Sequence, residues 1–105
     1  MNFSPGSAIK FRTFLPSDHE HLVQLWHECD LTRPWNDPAD DIRQCLENPS
    51  SELLVAVAGE ILCGSVMMGC DGHRGWVYYL AVDAKSRHQG IGRTLMGHAE
   101  AWMRA

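Results

Sequence analysis

The stretch that most narrows what this chain can fold into is Val82-Asp83-Ala84-Lys85-Ser86-Arg87-His88-Gln89-Gly90-Ile91-Gly92-Arg93. An apolar run, Trp76 to Val82, leads into it, and Thr94-Leu95-Met96 begins a helix behind it. Two glycines let the backbone come close to a ligand, basic side chains rim the turn, and the first N–H groups of a helix have no partner within it. Strand, glycine turn and helix start in that order build an anion site, whose natural occupant is a phosphate-bearing cofactor.

Spacing separates three phosphate-binding loops. A Walker A loop needs its first glycine where Arg87 stands, although Gly92-Arg93-Thr94 imitates its end. The dinucleotide fingerprint needs a third glycine at Leu95 and an acidic strand end further on, and neither is present. The pattern that fits is R-x-x-G-x-G, from Arg87 to Gly92. It resembles the pyrophosphate-binding signature of the GNAT superfamily, the acyl-CoA-dependent N-acyltransferases. Tyr79-Leu80-Ala81-Val82-Asp83 before it and Gly92-Arg93-Thr94-Leu95-Met96 within and after it look like that family's fourth strand and third helix. Leu31-Thr32-Arg33-Pro34-Trp35-Asn36-Asp37-Pro38 and Asp71-Gly72-His73-Arg74-Gly75-Trp76 resemble segments of small bacterial members related to the ribosomal-protein-alanine acetyltransferases. The resemblance covers residues 9 to 105.

Pattern predicts the same layout. Ile9 to Phe14 alternates as a strand. Ser17-Asp18-His19-Glu20 has capping-box spacing, and Leu22, Val23, Leu25, Trp26 and Cys29 form the apolar stripe of a helix over 18–29. Asp37-Pro38 starts a second helix with Ile42, Cys45 and Leu46 on one face, and Asn48-Pro49 stops it. Leu53 to Ala58 and Ile61 to Met68 are strands about a tight Gly59-Glu60 turn, and a second hairpin turn, Cys70 to Gly75, leads into Trp76 to Val82. The expected fold is therefore α/β (α+β): one domain over 1–105, order β-α-α-β-β-β-α, with a mixed, mostly antiparallel sheet and flanking helices.

The chain has no apolar run near the roughly 20 residues that span a bilayer, and Ser4-Pro5-Gly6-Ser7 opens no signal-peptide core, so a cytoplasmic protein without membrane attachment is expected. Cys29, Cys45, Cys63 and Cys70 lack C-x-x-C spacing and read as reduced packing residues. His19 and His21 diverge on a helix, and no metal site is expected. Residues 83–105 carry a net charge of +2 and residues 1–82 a net charge of −6. The basic end coincides with the anion loop, while the acidic remainder suits a cationic amine better than nucleic acid.

The resemblance implies acetyl-CoA as cofactor and direct transfer to a primary amine, on a small molecule or a protein N-terminus. Arg87, His88, Gln89, Gly90, Ile91, Gly92, Arg93 and Thr94 would hold the pyrophosphate, and the main chain of Leu80, Ala81 and Val82 the pantetheine arm, with an N–H near Val82 as oxyanion donor. Many members carry Glu four residues before the Val82 position, and here Tyr78 stands instead. Successive strand residues face opposite ways, so only one of Tyr78 and Tyr79 is expected in the acceptor cleft, either as a catalytic group or as a packed aromatic. A bridging water, Glu28 or Asp30 are other proton relays. Asp71, His73 and Arg74 read as a solvated turn. Arg33 and Trp35 fall in the connection that borders the family's acceptor site, with a hydrophobic plug as the plainer role of Trp35.

The family's fold continues beyond its third helix, and this chain stops at Ala105 inside it, without the segment that usually supplies the acid. Two readings follow: an N-acetyltransferase, or a truncated, inactive coenzyme A binding or assembly module. A nucleotide-binding protein using the same loop is a third. An exposed strand 76–82 and the stripe Ile91, Leu95, Ala99 and Trp102, short of cover, would favour a homodimer or higher homo-oligomer.

Overall fold

A computed structural model of the chain describes residues 9–35 and 37–104. The N-terminal Ser4-Pro5-Gly6-Ser7, Asn36 and Ala105 lie outside them. The elements are β1 (Ile9–Thr13), α1 (His19–Glu28), α2 (Pro38–Glu47), β2 (Ser51–Ala58), β3 (Ile61–Cys70), β4 (Gly75–Val82) and α3 (Ile91–Arg104), with 3-10 turns at Pro16–Asp18 and Ala84–Ser86. The expected order of strands and helices is the observed one.

The four strands form one sheet in the order β1-β2-β3-β4, and every pair is antiparallel, so the expectation of a mixed sheet gives way to a uniform one among the described strands. Short hairpin turns join β2 to β3 and β3 to β4, and antiparallel pairing is what such turns permit. Gly59, at φ 64°, makes the first of them.

Helices cover both faces. Leu22, Leu25 and Trp26 of α1 and Ile42 and Cys45 of α2 pack with Leu53, Val55, Val57, Met67 and Ala81 on one face. Ile91, Leu95 and Ala99 of α3 pack with Ala56, Cys63, Val66 and Met68 on the other. The α3 stripe expected to lack cover is thus buried against the sheet, with Leu95 and Ala99 at 0% exposure; Trp102 is half-buried. Burying such side chains stabilises by about 1.5–3 kcal/mol each before the entropy of ordering them. No helix among the described residues is long and apolar enough to cross a membrane.

The helix starts follow the local sequence signals at α2 and depart from them at α1 and α3. Asp37 caps α2, its Oδ1 accepting from the N–H groups of Ala39 (3.1 Å) and Asp40 (3.3 Å), and Pro38 takes the first helical position where a missing N–H costs nothing. Leu46 of the expected apolar face is 51% exposed. Ser17 does not cap α1: it lies in the 3-10 turn, and Asp18 precedes the helix with its carboxylate turned back to Arg12 (2.7 and 3.0 Å) and the Leu15 N–H (2.8 Å). The ion pair outcompetes the capping box. Helix α3 starts at Ile91 rather than Thr94, so Gly92 falls inside its first turn.

Two irregularities interrupt the ladders of β3. Val57 pairs with Leu62 and Ala56 with Gly64, which leaves Cys63 as an extra residue in β3. Ser65 pairs with Ala81 and Met67 with Tyr78, so two residues of β4, Tyr79 and Leu80, stand opposite the single residue Val66. Such a β-bulge interrupts the ladder and shifts the inside-outside alternation by one.

Candidate functional site

The bulge in β4 is held from three directions. Tyr79 has φ 55°, a left-handed conformation that costs a tyrosine about 1–2 kcal/mol. Its ring stacks on Trp26 of α1 with centroids 3.7 Å apart and planes 13° from parallel. Its hydroxyl donates to Asp41 Oδ2 of α2 at 2.5 Å, and its carbonyl accepts from the Ser65 hydroxyl of β3 at 2.8 Å. Ser65 Oγ in turn accepts from Trp26 Nε1–H at 2.8 Å. Every buried polar side-chain atom among the described residues is satisfied, so this relay fixes the bulge without leaving an orphan.

Because the bulge shifts the alternation, Tyr78 and Tyr79 do not face opposite ways. Both line one cleft of about 540 Å³ on the α1/α2 side of the sheet. Its walls also include Leu31, Asp41 and Gln44 of the helical side and Met67 and Trp76 of the strands. Tyr78 is 61% exposed and its ring meets that of Trp76 with centroids 5.3 Å apart. Trp76 lies across Gly69, its partner on β3, where a Cβ would collide with the indole, so the bare position seats the ring. Asp41, Gln44 and Asn48 reach the cleft because α2 presents them at i, i+3 and i+7 beside its apolar stripe.

The turn after β4 leads from the bulge to α3. Val82 O accepts from Arg87 Nε at 3.2 Å and from Cys29 Sγ at 3.5 Å, while Asp83 N–H donates to Cys63 O at 2.8 Å. Arg87 is therefore folded back on the strand end, and Cys29 is a contact of that end as well as a packing residue. His88 (φ 70°) and Gly90 (φ 79°) both turn left-handed, the backbone sign from which anion-binding nests are built. The first helical bond of α3 runs from Thr94 N–H to Gly90 O (3.0 Å), and Thr94 Oγ1 also donates to Gly90 O (2.9 Å). The N–H groups of Ile91, Gly92 and Arg93 precede that bond and point out of the helix start.

The glycines of this turn are informative in different ways. Gly90 is required by its φ, since a Cβ there would meet no atom within 4 Å. Gly92 has an ordinary helical φ and a Cβ there would touch only Val82 Cγ2 at 3.6 Å, so the protein's own packing does not demand glycine. The side chains of Gln89 and Arg93 are exposed, and that of Ile91 is buried in the α3 core, leaving only its main chain for a ligand. Leu80 is 41% exposed, Ala81 is buried among α1/α2 contacts and Val82 is half-buried.

Arg33 and Trp35 are outside the cleft walls. Arg33 NH1 is turned back onto the carbonyls of Asp30 (2.6 Å) and Thr32 (3.2 Å), and Trp35 is 79% exposed, so it plugs nothing. From the same connection it is Leu31 that reaches the cleft. The sequence reading missed Asp41, Gln44 and Ser65. Their signal was weak: polar residues at helical spacing in α2, and one serine within an apolar strand. Among the described residues no three His, Cys, Asp or Glu side chains stand close enough to hold a metal ion.

An antiparallel sheet between two layers of helices, a bulged edge strand, and a glycine-punctuated turn running directly into a helix define an acetyltransferase-type domain. The model of the acetyltransferase (GNAT) family matches residues 20–105, and the chain belongs to that family. Acetyltransferase SG1711 of Sodalis glossinidius is 46% identical over 93 residues, 88% of this chain and 65% of that protein. Acetyltransferase YE1169 of Yersinia enterocolitica is 44% identical over 92 residues, again 88% of this chain and 65% of the relative. The chain thus spans slightly less than two thirds of the length of these curated relatives. Among solved structures, AAC(6')-Iy in complex with a bisubstrate analogue, CoA-S-monomethyl-acetylneamine, superposes with a TM-score of 0.79 at 17% identity, over 93% of this chain and 73% of that one. A GNAT-family acetyltransferase of Staphylococcus aureus Mu50 gives 0.76 at 15% identity, over 92% and 66%. At such identities these structures share the fold.

Proposed function

We propose that this chain binds acetyl-CoA along the turn 87–94 and transfers the acetyl group directly to a primary amine, of a small molecule or a protein N-terminus, seated in the cleft beside β4. The observation that carries this reading is the continuity of the two features: the bulge at Tyr79-Leu80 lies at one end of a path whose other end is the N–H-rich start of α3. The pyrophosphate would accept from the N–H groups of Ile91, Gly92 and Arg93, with Arg87 released from Val82 O to add charge. Glycine at position 92, which the protein's packing does not require, leaves room for that approach. The neighbouring solved structure carrying a coenzyme A analogue supports the same choice of cofactor.

The reaction asks for positioning, a proton acceptor and an oxyanion donor. The amine loses a proton and attacks the thioester carbonyl; the C–N bond forms, the C–S bond breaks, and the thiolate takes up a proton. The net change is ammonium plus thioester to amide, thiol and one proton. A main-chain N–H near Val82, just past the bulge, would polarise the carbonyl. Tyr78 and the Tyr79–Asp41 pair line the acceptor side.

The same reading places the protein in the cytoplasm, away from nucleic acid and membranes, and pairs copies of the chain through the outer edge of β4, whose other edge is taken by β3. Release of free thiol from acetyl-CoA, followed with a panel of amines, tests the central claim. Turnover with any amine upholds it; absence of thiol release with every amine removes the transfer reading, and absence of coenzyme A binding as well removes the cofactor assignment.

A further inference from the structure

The cleft on the α1/α2 side carries a chemistry of its own. Among the described residues its walls hold a single carboxylate, Asp41, and three aromatic rings, Trp76, Tyr78 and Tyr79, over an apolar floor that includes Leu31 and Met67. No lysine, arginine or histidine lines it among the described residues, and its other polar groups are neutral. Asp41 Oδ2 accepts from the Tyr79 hydroxyl, while Oδ1 takes no hydrogen bond from the described residues. A carboxylate oxygen with spare acceptor capacity beside aromatic faces attracts one ammonium group by charge and by cation–π interaction. One carboxylate neutralises one cation. A second or third ammonium entering this space would lose hydration against apolar walls with nothing to pair with.

From this we infer that the cleft selects a monocationic amine with an apolar or aromatic body, and discriminates against polyamines and other polycations. The inference rests on the amine-acetylating reading above and narrows its acceptor. The volume of about 540 Å³ admits an arylalkyl amine whole. Gly69 belongs to the same device, since only a bare position lets the Trp76 ring lie flat across β3 and form the wall.

Binding separates this inference from the transfer reaction. Titration of the chain without acetyl-CoA, followed by tryptophan fluorescence and calorimetry, would use 2-phenylethylamine, its uncharged analogue 2-phenylethanol, and spermidine. The amine should bind at least about tenfold more tightly than either comparator. Asp41→Asn keeps an oxygen to accept from Tyr79 and removes the charge; it should bring the amine down to the affinity of the alcohol. Tyr78→Ala, at a position 61% exposed, should weaken the amine about fivefold. Spermidine binding as tightly as 2-phenylethylamine, or an undiminished amine preference in Asp41→Asn, would overturn the inference. Thiol release from acetyl-CoA with spermidine as the better acceptor would overturn it too while leaving the acetyl-transfer reading standing. Selective amine binding with no thiol release would uphold the cleft assignment and remove the transfer reading.

Discussion

The buried Ser65 hydroxyl donates a 2.8 Å hydrogen bond to the main-chain carbonyl of Tyr79, the residue held left-handed in the bulge of β4. Ser65 accepts from the Trp26 indole N–H at the same time, so one hydroxyl ties α1, β3 and β4 together at the point where the ladder opens. Ser65→Ala would leave the buried Trp26 N–H without its acceptor and remove the bond to the Tyr79 carbonyl, at a cost of about 1–3 kcal/mol. The bulge would also lose its clamp. Denaturant unfolding should show the loss of stability, and kinetics on the folded fraction should show turnover falling by about tenfold with coenzyme A affinity nearly unchanged. Equal losses of turnover and cofactor affinity would mean that Ser65 acts on the whole fold rather than on the bulge.

The turn offers a cleaner separation of fold and ligand. A Cβ at Gly92 would meet only Val82 Cγ2, and Arg87→Glu reverses an exposed charge at the cost of one bond to Val82 O, so both changes should act on the ligand more than on packing. Each should weaken coenzyme A binding by about tenfold or more, through blocked approach in one case and repulsion in the other. Calorimetric titration decides it, with thermal melting as the control for folding. Gly90→Ala would act differently: at φ 79° it strains the turn itself and should lower the melting temperature as well.

The ion pair that displaces the capping box predicts a pH response. Arg12 holds the Asp18 carboxyl below its ordinary value of 3.8, chiefly by hydrogen bonding, against the opposing effect of burial. The folded state therefore favours the ionised form. The resulting stability is complete above the unfolded value and is lost as pH falls through the lowered folded one. Urea midpoints should decline on acidification over that window, and Asp18→Asn should both lower stability at neutral pH, by about 1–2 kcal/mol, and flatten the acid limb. A parallel acid limb in the variant would assign the decline to other carboxylates.

Pairing of copies through β4 is tested by light scattering at low micromolar concentration. The expected mass is that of a dimer or larger assembly, and placing a lysine at the exposed Leu80 should shift it toward the monomer. A monomer mass with a cooperative melt would show that residues 1–105 close their own core.

What the sequence by itself determined was whatever depends on neighbours along the chain. The Asp37-Pro38 start of α2 and the Gly59-Glu60 turn are encoded by dihedral preference and by side-chain-to-backbone bonds spanning a few residues, and both are found where the pattern put them, while the glycine-punctuated turn after β4 is present but ends three residues earlier, at the Ile91 start of α3. The element order followed from periodicity. Tertiary structure decided where Tyr78 and Tyr79 point. Strict alternation separates them; one extra residue opposite Val66 puts both in the same cleft, and that residue is tolerated because Trp26, Asp41 and Ser65, 53, 38 and 14 positions away, compensate its strained backbone. It likewise decided that Asp18 serves Arg12 instead of the helix end, that Leu31 and not Trp35 reaches the cleft, and that Asp41 lines it as well. A bulge and a cleft are settled by contacts between distant segments, whose balance of strain, stacking and hydrogen bonding exists only once the sheet and both helical layers have come together.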